Sequence, residues 1–191
     1  MTKRRTDTRE RILAAAYRLF YAQGFSRVSV DAIAERAGVT KRTVYYHFTS
    51  KDDVIAEVLN VQHQHLMRQY GSWLPEPTQR AEDVVCGVFA KLKEWAEGPV
   101  WLGSGFTRAS MELADMRGHP VHAAASHHKA SVETWLAEQL ATAGVGQATK
   151  LAKEVMLLIE GSMSLALVHG DRSYFQAAEA AACRLVAGAK V

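Results

Sequence analysis

At 191 residues, with 48% hydrophobic and 23% charged residues, the chain has the length of a single domain, or of one small module on a larger one, and an ordinary globular composition. No segment reaches the roughly 18 consecutive apolar residues of a membrane span, and the N-terminal MTKRRTDTRE has basic residues without the apolar stretch of a signal peptide, so a cytoplasmic protein with no membrane partner is expected. The formal net charge of +3 is unevenly placed, because residues 1–51 hold eleven Lys and Arg against four Asp and Glu, a local net of +7, and the remainder nets −4. A basic head on an acidic body implies a polyanion partner at the N-terminal end.

Breakers cut the chain into pieces of helical length: Gly24, Gly38, LPEP at 74–77, EGP at 97–99, RGHP at 117–120, GVG at 144–146 and HGD at 169–171. Alternating β-branched runs are absent, and the expected fold class is all-α. In the first piece Ile12, Ala16, Leu19 and Phe20 recur at helical spacing, and Gly24 ends it. Ser29 can cap a second, short helix that carries Ile33, Ala34 and Ala37 and stops at Gly38. Thr40 is the natural N-cap of a third, running roughly from Lys41 to His47. SKDD at 50–53 opens a long helix toward Tyr70 as a capping box with Asp where Glu is usual.

Two short helices joined by a glycine turn, the second opening on exposed polar residues, form the helix-turn-helix pattern. The second helix of that motif enters the major groove with its N-terminal residues at base edges, which assigns Thr40, Lys41 and Arg42 to the bases.

The segment from Thr8 to Leu59, above all ILAAAYRLFYAQGF, VSVDAIAERAGVTKRTVYYHFTSKDDV and the long helix after it, resembles the DNA-binding domain of the TetR family of bacterial transcriptional regulators. The resemblance implies a homodimeric, Ω-shaped, all-helical protein of about nine helices. A three-helix DNA-binding head (1–50) would be joined by a long helix to an effector-binding and dimerising body (51–191). It also implies a palindromic double-stranded DNA operator and release of that operator by a small molecule. Carried over residue by residue, it sets Lys41, Arg42 and Thr40 at base edges, with Thr43, Tyr45, Tyr46, His47 and Lys51 on or near the phosphate backbone. Ser29 would add a phosphate contact, and Val44 and Phe48 would belong to the head's core. Arg and Lys can donate to guanine O6 and N7, whereas hydroxyls and helix N-termini hold phosphates without reading sequence. For His47, a hydrogen bond that only braces the head is the alternative.

Beyond Gln79 the resemblance supplies only an architecture. Phe89, Trp95, Trp101, Phe106, Met111, Met116 and Trp135 form a concentration of large side chains that could line an apolar effector pocket, or be core. Four histidines in GHPVHAAASHHK, His119, His122, His127 and His128, raise a metal question. Their spacing is poor for one helix face, and helix-end or solvated roles are the expectation, with no metal and no cofactor. Cys86 and Cys183, without any ligand spacing, are expected to be reduced, buried small hydrophobes. The segments 150–170 and 173–189 are apolar around much of their circumference and rich in alanine. They fit a four-helix dimer bundle through Leu158, Ser162, Ala166, Ala178, Ala181 and Leu185. No nucleophile elbow, phosphate-binding glycine loop or zinc-hydrolase motif is present, so an enzyme is not expected. The reading is a ligand-responsive repressor. A helical carrier or enzyme with an incidental basic end, and an activator or nucleoid-type DNA binder, are the alternatives.

Overall fold

The structure, a computed structural model, describes residues 2–74 and 80–189, with the side chains of 2–6 left aside. Among the described residues there are nine helices and no strand: α1 (Thr2–Gln23), α2 (Val30–Ala37), α3 (Lys41–His47), α4 (Lys51–Tyr70), α5 (Ala81–Ala96), α6 (Gly105–Glu112), α7 (Pro120–Thr142), α8 (Ala148–His169) and α9 (Ser173–Gly188). Gly24, Gly38, EGP, Gly118, GVG and Gly170 fall between these helices, Pro120 opens α7, and Pro75–Pro77 of LPEP lie outside the described residues. No helix among the described residues is long and apolar enough to cross a membrane.

The chain divides into two compact units. The first comprises Met1–His65 and Gly105–His128. Its α1 buries Ile12, Leu13, Ala16, Leu19 and Phe20 at the three-to-four-residue spacing that puts them on one stripe. Phe20 stacks on Phe25 at 5.4 Å, just past the turn at Gly24, whose φ of 97° a side chain would strain. Ile33 from α2, Val44 from α3, Phe48 and the α4 residues Val54, Ile55, Val58 and Leu59 are buried in the same unit. Burying each such side chain contributes about 1.5–3 kcal/mol, which lets helices of seven and eight residues persist although isolated ones would not.

The second unit comprises Leu66–Ser104 and Lys129–Val191. Its core joins Val84, Val88, Phe89 and Leu92 of α5 to Leu136 and Leu140 of α7, Val155 and Ile159 of α8, and Phe175, Ala182 and Val186 of α9. The two cysteines meet here, and they are less buried than the sequence expectation of buried small hydrophobes. Cys86 on α5 and Cys183 on α9 are both half-buried and free, with their sulfurs 3.6 Å apart. A separation of 97 positions in sequence hid the contact.

Candidate nucleic-acid interface

The surface of α3 is set by its caps. The preceding helix α2 starts at Ser29, whose hydroxyl oxygen accepts from the Ala32 N–H at 3.1 Å. It ends in a Schellman turn: Gly38 has φ 64°, its N–H donates to the Glu35 carbonyl, and the Val39 N–H donates to the Ala34 carbonyl. Arg11 of α1 reaches across and donates to the Ala37 carbonyl at 2.7 Å, fixing the turn from behind. Thr40 then caps α3, accepting from the Thr43 N–H at 3.1 Å, with the two threonine hydroxyl oxygens 2.8 Å apart.

Val44 anchors α3 inward, as the resemblance implied, and leaves Lys41, Arg42, Tyr45 and Tyr46 exposed, the last with 67% of its surface open. Lys41 forms an exposed ion pair with Asp31 at 2.8 Å, and that hydrogen bond, the largest cause, raises its pKa. A fully exposed pair of this kind is easily exchanged, and a phosphate or a guanine edge can replace the carboxylate. His47, half-buried, sits edge-on to Tyr46 at 5.3 Å and tilted to Phe48 at 6.4 Å.

Not every cation of the basic head faces outward. Arg9 pairs with Glu57 at 2.9 Å and lies over the Phe48 ring at 5.2 Å. Lys51 donates to the Ser26 carbonyl at 2.7 Å, and burial lowers its pKa. An ammonium has three donors, and one of those of Lys51 braces the connection between α1 and α2. The start of α4 carries the anticipated capping box in altered form. The Asp53 N–H donates to the Ser50 hydroxyl at 3.0 Å, and the Asp53 carboxylate accepts from the Thr49 N–H at 2.8 Å, one residue before the usual partner.

Glu112 of α6 belongs to the same bracing and was missed in the sequence. Its carboxylate accepts from the N–H groups of Phe25 at 2.7 Å and Ser26 at 3.2 Å, while Arg108 donates to the Tyr21 carbonyl at 3.1 Å. No local pattern marks a contact spanning 87 positions.

The histidines take structural positions. His119 accepts at Nδ1 from the Val121 N–H at 3.1 Å, which assigns the proton to Nε2, 3.2 Å from Asp52. His122 lies 3.0 Å from the Leu113 carbonyl. His128 stacks on Phe106 at 3.8 Å and approaches His63, with Nδ1 atoms 3.2 Å apart, and His127 lies 4.6 Å from His63 between ring centres. His63 was not singled out in the sequence, although it lies on α4 at the register of Leu59 and Leu66. Among the described residues no group of three or more His, Cys, Asp or Glu side chains could hold a metal ion.

The large side chains considered for an effector are divided between the two units. Phe106 and Met111 belong to the first unit, where Met111 is 69% exposed. Phe89, Trp95, Trp101 and Trp135 belong to the second. There Trp101 lies edge-on to Trp95 at 5.8 Å and to Phe175 at 5.9 Å, and its buried indole N–H has no hydrogen-bond partner among the described residues. Trp135 stacks on Tyr70 at 5.5 Å. Beside Glu160, whose charge helps burial to raise the Tyr70 pKa, Lys129 donates to the carboxylate at 2.5 Å and to Ser104 at 3.1 Å. Of the residues assigned to a dimer interface, Ser162, Ala166 and Ala178 are buried within their own subunit. Leu158 and Ala181 are half-buried, and Leu185 is exposed. On α8 the exposed apolar residues are Leu157, Leu165, Leu167 and Val168.

The family model of bacterial regulatory proteins, tetR family, matches residues 12–58. The HTH-type transcriptional regulator YjdC of Escherichia coli (strain K12) is 25% identical over 169 residues, covering 86% of this chain and 86% of its own. The HTH-type transcriptional regulator SrpR of Pseudomonas putida is 49% identical over 53 residues, which are 28% of this chain and 25% of that protein. The solved structure of a TetR-family transcriptional regulator from Streptomyces coelicolor matches with a TM-score of 0.86 at 26% identity, covering 97% of each chain.

Proposed function

We propose that this chain, which belongs to the TetR family of bacterial regulators and is a DNA-binding transcriptional regulator, acts as a homodimeric repressor that a small apolar effector releases from a palindromic operator. The observation that carries this reading is α3 itself: a short helix, capped by Thr40 and braced through Arg11, that exposes Lys41, Arg42, Tyr45 and Tyr46 on one side and buries Val44 on the other. In this reading Arg42 and Lys41 donate to base edges. Thr40, the cap of the helix, stands with them at the base edges, and Thr43, Tyr45, Tyr46, His47, Lys51 and Ser29 meet the phosphate backbone. Residues 1–50 form the DNA-binding head, and 51–191 bind the effector and dimerise.

Two observations support the rest. The exposed positions Leu157, Leu165 and Val168 recur at helical spacing with Gly161 between them, and Leu185 adds an exposed apolar residue on α9, which suits pairing with a second copy. The aromatic groups Trp95–Trp101–Phe175 and Tyr70–Trp73–Trp135 suit an apolar, ring-containing effector.

Selection of bound sequences from a random DNA pool tests the reading. The expected product is a palindrome whose half-site centres lie about 34–36 Å apart or a multiple of that. Recovery of unrelated sequences with no shared half-site would sink it.

A further inference from the structure

The DNA-binding reading leaves unused the two cysteines of the sequence, Cys86 and Cys183. They stand on α5 and α9, both within the second unit, with sulfurs 3.6 Å apart and both side chains partly open to solvent. We propose that this pair is a site of reversible oxidation, at which a hydroperoxide converts the two thiols into an intrachain disulfide joining α5 to α9.

The geometry is close to what the bond needs. A disulfide has an S–S length of about 2.05 Å, so the sulfurs must approach by about 1.6 Å, within the reach of side-chain rotation on two helices already packed together. The chemistry balances without any bound cofactor. The Cys183 sulfur, as thiolate, attacks one oxygen of the hydroperoxide; the O–O bond breaks, and the alcohol leaves with a proton. Cys183 is then a sulfenic acid. The Cys86 sulfur attacks that sulfur, the S–O bond breaks, and water leaves. Two thiols and one hydroperoxide have become one disulfide, one alcohol and one water, with two electrons passed to the oxidant.

The Glu179 carboxylate beside Cys86 suits an order in which Cys183 attacks first. Burial first, then its hydrogen bond and proximity to Cys183, then the Glu179 carboxylate, push its thiol up to about 11. Such a thiol is a poor first nucleophile at neutral pH, since the thiolate is the attacking species. It is well placed to resolve a sulfenic acid 3.6 Å away, with Glu179 able to accept its proton in that step.

The test treats the intact protein with hydrogen peroxide and counts thiols after denaturation. The count should fall from two per chain to none and return to two on addition of dithiothreitol. On a non-reducing gel the oxidised protein should stay at monomer size, and its melting temperature should rise relative to the reduced form because a long loop has been closed. In Cys86→Ser, which leaves no resolving thiol, dimedone should label Cys183, whereas the untreated variant should melt close to the wild type. Two thiols surviving prolonged oxidation, or their loss into dimers linked between chains, would overturn the proposal. Labelling of Cys86 in Cys183→Ser with none on Cys183 in Cys86→Ser would overturn the order of attack.

Discussion

Arg42 and Lys51 share a charge and a neighbourhood, yet their surroundings separate their roles. Arg42 is exposed on the first turn of α3, whereas the Lys51 ammonium is already donating to the Ser26 carbonyl. Arg42→Ala should therefore relax preference at one position in each half-site and cost about 1–3 kcal/mol of binding, read by repeating the DNA selection. Lys51→Ala should weaken all sequences alike, make the salt dependence shallower by about one ion, and lower the melting temperature as well. An unchanged melting temperature would mean that the contact with Ser26 contributes nothing. The excess of positive charge was legible in the sequence as a basic N-terminal head. Its division was not: Arg9 and Arg11 are spent on Glu57 and on the Ala37 carbonyl, and only three-dimensional proximity shows it. His63 supplies a pH dependence at the same scale. Burial, then His127, lowers its pKa from the ordinary value of 6.5, and His128 faces it as well. The folded state thus disfavours the charged ring, and the unfolded chain takes up a proton first. Stability is complete above about 6.5 and falls as pH drops through that value. His63→Gln should flatten the fall, measured as melting temperature between about pH 7.5 and about pH 5. An identical slope in the variant would remove His63 from the account.

At the scale of elements, boundaries were the readable part. Thr40, Ser29, Gly38, Pro120 and the Ser50–Asp53 start all act where their types and spacing placed them, because capping is a local matter of a side-chain oxygen and a free N–H. What local patterning could not give is the choice of face. Ala166 and Ala178 read as small residues suited to helix pairing, and they do allow close approach, but within one subunit's core. A stripe that is apolar all round does not declare which side meets a partner. Gly38 makes the sharpest prediction here. At φ 64° an alanine enters the left-handed region at a cost of roughly 1–2 kcal/mol, and its Cβ would come within 3.2 Å of the Arg11 guanidinium that holds the turn. Gly38→Ala should lower stability in urea by about that amount and weaken operator binding further, because α3 is re-aimed. Gly118→Ala, also at positive φ but with nothing within 4 Å, should cost stability without touching DNA affinity. Equal DNA affinity for Gly38→Ala and wild type would refute the link between turn and interface.

For the whole molecule, pairing and ligand response are the two properties the proposed function requires. Leu165→Arg places a charge on the exposed face of α8 while leaving the buried face alone, so it should shift sedimentation toward monomer and reduce operator binding in step, with the helical content of the chain unchanged. A variant that is monomeric yet binds the full palindrome as tightly as before would dissociate pairing from function. Effector response carries a stricter demand, because affinity coupling between two ligands is reciprocal. If an effector weakens operator binding by some factor, the operator must weaken effector binding by the same factor, typically about 5–150-fold for a coupling of about 1–3 kcal/mol. A candidate effector is to be found by thermal-shift screening of apolar, ring-containing compounds. It is then titrated into the free protein and into the protein saturated with the selected palindrome, following the quenching of tryptophan fluorescence that Trp101 and Trp135 should report. Weaker binding to the complex, by the factor measured independently from DNA release, is the expected outcome. Equal affinities in the two titrations would show a ligand that binds both states alike. Such a ligand shifts nothing however tightly it is held, and release by an effector would then have to be given up even with the DNA-binding assignment intact.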